Sequence, residues 1–198
     1  MLSGIAMQMT GHSRPASGSE HHLSHYWEMK HAAEGRAPEL HGIKVGVATL
    51  MILSLYDKIL QLDIRAVVMS EKTTEQIVKW EQELTRCYGS LAQEMLTTNK
   101  ALILSQAELN IRHTRLVAAW ERIKPEIEAL KNLVPDAAKL LERVHAPLTP
   151  AECDINETDT LDALRYAKEV RSRYTILQLA DQLGLLEQYA KEITERLA

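Results

Sequence analysis

The sequence predicts an all-α fold, a helical bundle, and three observations support this prediction. No stretch alternates apolar and polar residues for long, and the β-branched residues are scattered among Leu, Ala, Glu and Lys. Apolar residues instead recur at helical spacing, as at Ile77, Trp80 and Leu84. Neither G-x-G-x-x-G nor G-x-x-x-x-G-K-[ST] occurs, so no nucleotide-binding loop is encoded in these 198 residues. We therefore expect residues 1–198 to form one helical domain without a Rossmann-like fold.

The first third of the chain predicts three helices. The apolar segment M-L-S-G-I-A-M-Q-M has no N-terminal cap, so it reads like the middle of a longer protein. A second helix is expected over about Ser19 to Ala33, with Gly35 as its stop. The third is expected to begin at His41 and to run to about Leu62. Because this third helix has little polar face, we expect it to lie at the centre of the fold.

The rest of the chain, from about residue 70 to 198, predicts further helices. An amphipathic helix is expected over Thr74 to Leu96, with its apolar face inward: Ile77, Trp80, Leu84 and Leu91. Pro125 should kink or divide the next helix. A capping box is expected at Thr149–Glu152, and a break at Gly184. The expected helices are about Asn99 to Lys131, a short one from Pro135-Asp136, Asp159 to Arg173, and Tyr174 to Ala198.

Charge and composition exclude several classes of protein. A formal net charge of -4, with Lys and Arg interleaved with Glu and Asp, leaves no basic surface for nucleic acid. The longest apolar stretch, Val45 to Leu55, is about half of a membrane span, and no secretory signal follows Met1. Cys87 and Cys153 have no C-x-x-C spacing, so we expect ordinary thiols. These observations predict a soluble, cytoplasmic protein.

Four of the eight histidines lie in two short segments near the start of the chain. Residues 17–25 read S-G-S-E-H-H-L-S-H, and His41 follows in L-H-G-I-K-V-G. On a helix His21 and His25 lie about 40° apart, and His22 and His25 about 60° apart, so either pair can face one cavity. Neutral imidazole is the commonest protein metal ligand. The alternative is that these histidines only make hydrogen bonds inside a helical core.

The same segments resemble a known family. S-R-P-A-S-G-S-E-H at 13–21, H-x-x-x-H at 21–25, L-H-G-I-K-V-G at 40–46, and Y-A-K-E-V-R at 166–171 are similar to the C-terminal helical domain of the sn-glycerol-1-phosphate dehydrogenases. These enzymes belong to the superfamily of iron-containing alcohol dehydrogenases and dehydroquinate synthase. The resemblance spans essentially all 198 residues, and its specific elements lie within about residues 1–65.

The resemblance implies a site and a reaction. His21 and His41 are implied to ligate a divalent metal, zinc or nickel, together with an aspartate that we expect upstream of Met1. His25 is implied to contact the substrate and to act in catalysis. NAD(P) is implied to bind a Rossmann-like domain that is also expected upstream. The implied reaction reduces dihydroxyacetone phosphate to sn-glycerol 1-phosphate, and Arg14 and Lys44 are the nearby cations that we assign to the substrate phosphate.

The sequence alone leaves other interpretations open. The chain is alternatively a non-catalytic helical relic or fragment, or a related enzyme such as a dehydroquinate-synthase-like lyase or a polyol dehydrogenase. His22 competes with His21 as a ligand because it is adjacent and also reaches the face of His25. Glu20 is expected to cap the helix or to orient an imidazole, and His12, His31, His113 and His145 are expected at the surface. The apolar segment Leu2 to Met9 predicts self-association, such as a homodimer.

Overall fold

The structure is a computed structural model that describes residues 2–11, 17–37, 40–133 and 136–197. The all-α prediction is confirmed over these residues, which contain no strand. None of their helices is long and apolar enough to cross a membrane. The α-helices in this part of the chain are α1 (Leu2–Thr10), α2 (Ser19–Ala33), α3 (His41–Leu60), α4 (Thr74–Tyr88), α5 (Ala92–Asn99), α6 (Gln106–Leu133), α7 (Ala137–Arg143), α8 (Glu157–Tyr166), α9 (Ile176–Gln182) and α10 (Leu186–Leu197).

Helices α2 and α3 pack against each other at the centre of the fold. The predicted bounds of α2 are confirmed, and α3 begins at His41 as predicted and ends two residues before the predicted Leu62. Gly35 has φ +70°, a left-handed conformation that suits glycine and ends α2. Trp27 of α2 and Met51 of α3 are fully buried. Their burial holds the two helices together, because large apolar side chains each contribute about 1.5–3 kcal/mol when removed from water.

The second half of the chain braces α2 from its other side. The short 3-10 helix Ala167–Val170 packs against α2, and α10 packs against α8 and α3. The indole Nε1 of Trp27 donates a hydrogen bond of 3.2 Å to the carbonyl oxygen of Asp159 in α8. This contact joins residues far apart in sequence and fixes the position of α2.

The predicted helix Thr74 to Leu96 is wrong as one continuous element. α4 ends at Tyr88, where Gly89 has φ +52°, and a 3-10 turn over Gly89–Leu91 leads into α5. The change of direction leaves Leu91 39% exposed instead of inward. The start of α4 is as predicted, and Thr73 caps it in a reciprocal box with Gln76.

Pro125 does not divide its helix, because α6 is continuous from Gln106 to Leu133. Proline removes the hydrogen bond to the carbonyl four residues earlier, here that of Glu121. Both residues are exposed, so water can satisfy that carbonyl.

The end of the chain is more divided than predicted. The predicted helix Asp159 to Arg173 is wrong in length, because α8 ends at Tyr166 and the 3-10 helix follows. The predicted break at Gly184 is confirmed, with φ +72° between α9 and α10. The predicted box at Thr149 is also present, since the backbone N–H of Thr149 donates to a carboxylate oxygen of Glu152. It caps a 3-10 turn over Ala151–Cys153.

Candidate metal centre

Three imidazoles meet where the first half of α2 faces the start of α3. His21 and His25 lie one turn apart on α2, and His41 is the first residue of α3. The ring centroid of His41 lies 5.3 Å from that of His21 and 5.2 Å from that of His25, and the His21 and His25 centroids are 6.4 Å apart. We call these three residues the histidine cluster.

Two carboxylates of α2 hold the rings of the histidine cluster. A carboxylate oxygen of Glu20 accepts from Nδ1 of His21 at 2.8 Å and from the backbone N–H of Gly18 at 2.9 Å. Glu28 uses both oxygens, with Oε1 2.6 Å from Nδ1 of His41 and Oε2 3.0 Å from Nδ1 of His25. Both contacts expected of Glu20, to the helix start and to an imidazole, are therefore present.

The hydrogen bonds keep both carboxylates ionised. Burial raises the pKa of Glu20, but hydrogen bonds from His21 and Gly18 outweigh it and hold the pKa below its ordinary value. Burial also raises the pKa of Glu28, and the hydrogen bonds from His41 and His25 lower it further than burial raises it.

A carboxylate that accepts from Nδ1 selects one form of a neutral histidine. The proton then sits on Nδ1, and Nε2 keeps the lone pair that can bind a metal. Each ring of the histidine cluster has such a carboxylate at its Nδ1. The donor set therefore fits a zinc or nickel ion, both of which accept imidazole nitrogen.

His22, the local competitor of His21, lies apart from the histidine cluster. Its side chain is fully buried, and neither ring nitrogen has a hydrogen-bond partner among the described residues. Burial lowers its pKa to about 4, with further lowering from the charges of Arg173 and Arg171. The structure thus brings His21, and not His22, together with His25 and His41.

The structure describes one of the two cations assigned to the substrate phosphate, Lys44. Lys44 is 1% exposed, and its Nζ lies 3.2 Å from Nδ1 of His31. A phosphate in solvent does not reach this ammonium without a rearrangement of the fold. The surface prediction for His31 is wrong, because this side chain is 6% exposed and packs against Lys44. Arg14 and His12 lie outside the described residues.

A cavity of about 490 Å³ adjoins the histidine cluster at Glu20. Its lining combines the start of α2, the segment before α9 and Tyr56 of α3, and it includes Arg173 and several hydroxyl side chains. Nη1 of Arg173 donates to the carbonyl oxygen of Ser17 at 3.3 Å, which ties the two segments together. The cavity gives a small polar molecule room beside Glu20, whose carboxylate accepts from His21.

Sequence reasoning missed Glu28 and Ser24. Glu28 follows His25 by three residues, and Ser24, whose Oγ lies 3.2 Å from Nδ1 of His41, precedes Glu28 by four. Residues at these spacings share one face of a helix. The H-x-x-E spacing was therefore the available signal for Glu28, whereas contact with His41 depends on how α3 packs.

The chain is similar to proteins named glycerol-1-phosphate dehydrogenase [NAD(P)+]. The relative from Geobacillus stearothermophilus is 45% identical over 194 residues, which cover 94% of this chain and 38% of the relative. The Bacillus licheniformis relative is 29% identical over 189 residues, 94% of this chain and 34% of the relative. The Halorubrum lacusprofundi relative is 28% identical over 176 residues, 89% of this chain and 29% of the relative.

The alignments define which part of these proteins the chain matches. The chain spans only about a third of the length of these curated relatives, and it matches their C-terminal part. No family model and no solved structure matches it. Over the region that it spans, the chain belongs to the glycerol-1-phosphate dehydrogenase family, as its helical C-terminal part.

Proposed function

We propose that this chain is the metal-holding catalytic part of an NAD(P)-dependent glycerol-1-phosphate dehydrogenase, which reduces dihydroxyacetone phosphate to sn-glycerol 1-phosphate. The histidine cluster supports the proposal most strongly, because it brings together the three imidazoles that the family resemblance names. The cofactor is proposed to bind a nucleotide-binding domain supplied ahead of residue 1. Residues of this chain supply the histidine cluster.

His21 and His41 are proposed to hold the metal, zinc or nickel, through their Nε2 atoms. An aspartate from the nucleotide-binding domain completes this donor set. When bound, a divalent metal supplies Lewis-acid stabilisation of the negative charge that develops on a carbonyl oxygen as hydride arrives. Glu20 and Glu28 keep the two imidazoles in the required tautomer, which raises their basicity as ligands.

His25 is proposed to transfer a proton to the substrate oxygen. With Nδ1–H donated to Glu28, its Nε2 accepts a hydrogen bond from a substrate hydroxyl. When Nε2 is protonated, it donates the proton to the substrate oxygen that gains charge, and the Glu28 carboxylate stabilises the imidazolium.

The substrate phosphate is proposed to lie in the cavity beside Glu20, towards Arg173. The guanidinium is the cation that the structure places in the described lining of this cavity, and guanidinium suits bidentate contact with phosphate. The predicted phosphate contact of Lys44 would need its buried ammonium to become exposed, whereas Arg173 needs no such movement. Arg14 stays a prediction.

We also propose self-association and a cytoplasmic location. Ile5 is 53% exposed and Met9 is 82% exposed on α1, and exposed apolar surface of this kind favours association. A homodimer is the simplest closed assembly. We expect sedimentation of wild type to show a species at twice the monomer mass, and we expect Ile5→Glu to lose it. Wild type that stays monomeric at high concentration contradicts the proposal.

A chimera tests the catalytic proposal directly. Residues of this chain replace the matching C-terminal part of the Geobacillus stearothermophilus relative, to which they are 45% identical. Oxidation of NADH is then measured with dihydroxyacetone phosphate. Turnover that falls more than 100-fold in His21→Ala and His41→Ala, but not in His113→Ala, is the expected result. A folded, metal-loaded chimera without turnover contradicts the proposal.

A further inference from the structure

A second cavity lies between α4, the end of α8, α9 and the start of α10, and its volume is about 340 Å³. It shares no described lining residue with the cavity at Glu20. Charged side chains dominate its described lining, which includes four cations and three carboxylates. Tyr166 and Lys168, from the Y-A-K-E-V-R segment, are among these lining residues. The cavity therefore presents an arrangement of charges apart from the histidine cluster.

Each carboxylate of this lining already has a cationic partner. The pairs are Glu83 with Arg86 at 2.7 Å, Asp181 with Lys72 at 3.0 Å, and Glu187 with Arg165. Asp181 also lies 4.0 Å from Nζ of Lys168, whose side chain is 4% exposed. A positively charged ligand would have to break one of these pairs. The lining therefore disfavours a cation.

Several donors of the same lining have no acceptor. Among the described residues, no partner accepts from Nζ of Lys79, Nε2 of Gln76 or the hydroxyl group of Tyr166. Gln76 uses its Oε1 to accept from the backbone N–H of Thr73, which leaves the amide nitrogen as a donor. A ligand for this cavity must therefore bring acceptors, and the charge of Lys79 favours a negative ligand.

Arg165 supplies the most specific donor. Its Nη2 donates to Glu187, whereas its Nε is buried and has no hydrogen-bond partner among the described residues. Buried polar atoms are rarely left unpaired in folded proteins. Nε and Nη2 point from one edge of the planar guanidinium, an arrangement that matches two oxygens of a phosphate. Glu187 is 57% exposed, so its side chain can turn into solvent when such a ligand binds.

We infer that this cavity binds a phosphate group, either inorganic phosphate or the phosphate of a small phosphomonoester. Arg165 binds two phosphate oxygens through Nε and Nη2, and Lys79 adds a second positive charge. The hydroxyl group of Tyr166 and the amide of Gln76 donate to the oxygens that remain. A carboxylate ligand has only two oxygens, which Arg165 alone would occupy, so phosphate matches the donors better.

The rest of the cavity has room for the carbon atoms of an ester. Trp80 and Leu186 contribute apolar surface to the lining. Trp80 also donates from its indole Nε1 to Glu169 at 3.0 Å, and Glu169 lies in the 3-10 helix that packs against α2. The indole is therefore both a wall of the cavity and a spectroscopic probe of it. The site does not rest on the proposed dehydrogenase reaction.

Nitrogen–proton correlation spectra of the isotope-labelled chain, titrated with inorganic phosphate at constant ionic strength, test the site. The indole signal of Trp80, identified by its loss in Trp80→Phe, should move and saturate as phosphate is added. The signal of Trp120, which lines a different cavity, should stay in place. The described lining of the cavity at Glu20 contains neither indole, so the result does not depend on substrate binding there.

Three substitutions test the donors. Glu187→Gln should tighten phosphate binding by about two- to fivefold, because it frees Nη2 of Arg165 from an exposed ion pair. Glu195→Gln, at an exposed position of the same helix, is its control. Lys79→Gln should weaken binding by about two- to fivefold, with Lys139→Gln on α7 as the control. Arg165→Gln should weaken binding by about 10-fold or more.

Phenyl phosphate distinguishes the two sources of the phosphate group. Binding tighter than that of inorganic phosphate assigns the site to a phosphomonoester whose carbon atoms contact Trp80 and Leu186. Equal or weaker binding assigns the site to inorganic phosphate.

Several results would overturn the site. They are a Trp80 signal that stays fixed with both compounds, a Trp120 signal that moves as far as that of Trp80, and Glu187→Gln without tighter binding. A damaged fold lowers the affinity, so it does not produce the gain expected in Glu187→Gln. Arg165→Gln that keeps its helices by circular dichroism and binds within about twofold of wild type overturns the site as well.

Discussion

Replacing His22 should change how the stability of the chain depends on pH. His22 is fully buried, and its pKa is lowered to about 4 from an ordinary value of 6.5, chiefly by burial. Below pH 6.5 the unfolded chain therefore takes up a proton that the folded chain excludes until the pH approaches 4. The contribution of the neutral buried ring is complete above pH 6.5 and is lost as the pH falls through this window.

The size of the effect follows from the two pKa values. Each pH unit between 6.5 and 4 removes about 1.4 kcal/mol, so the total loss is about 3 kcal/mol. His22→Gln and His22→Leu have no ionisable ring and do not share this loss. Wild type should therefore lose stability relative to both variants as the pH falls.

Urea unfolding at several pH values between 7.5 and 4.5, with a chelator present, measures the effect. The free energy of unfolding of wild type minus that of each variant should fall by more than 1 kcal/mol per pH unit below pH 6. The two variants differ in polarity, so a shared slope identifies the lost proton site as the cause. A difference that stays constant across this range refutes a neutral, buried His22.

Two further predictions concern the packing of α4 and the thiols. Arg86→Gln should lower the free energy of unfolding by about 1–3 kcal/mol, because it leaves the buried carboxylate of Asp162 without its bidentate partner. Urea unfolding measures this loss, with Arg115→Gln, at an exposed position, as the control. A loss in Arg86→Gln no larger than that in the control contradicts the prediction. Cys87 and Cys153 are both buried, and burial raises the pKa of Cys87 to about 11. At pH 8 the native chain should therefore react with a thiol reagent roughly 100-fold more slowly than the urea-unfolded chain. Rapid reaction of both thiols without urea contradicts this prediction.

Local signals in the sequence predicted the helices that carry the site. The start of α2 at Ser19 and its stop near Gly35 were predictable from neighbouring residues, because Glu20 accepts from the backbone N–H of Gly18 and Gly35 is left-handed. The start of α3 at His41 was also predicted, although Leu40 before it makes no side-chain cap. Gly89 carried the same kind of signal, since its φ of +52° ends α4. Its position inside an amphipathic pattern concealed it.

The environment of each side chain was harder to predict. The spacing of His21 and His25 placed them on one face, but it left His22 as an alternative, because adjacent residues differ only by rotation about the helix axis. Whether His22 is buried depends on how α3 and the 3-10 helix Ala167–Val170 pack around α2, and in the structure its side chain is fully buried. The pairing of His31 with Lys44 likewise depends on contact between two helices, which no local pattern encodes.

The most direct test of the metal centre is the metal content of the purified chain after loading with zinc or nickel, for wild type and His41→Ala. His41 belongs to the proposed donor set, and its ring centroid lies 5.3 Å from that of His21 and 5.2 Å from that of His25. One ion per chain in wild type, with none in His41→Ala and one in the control His113→Ala, is the predicted result. The absence of metal in wild type, or equal metal in His41→Ala, would contradict a metal centre at the histidine cluster.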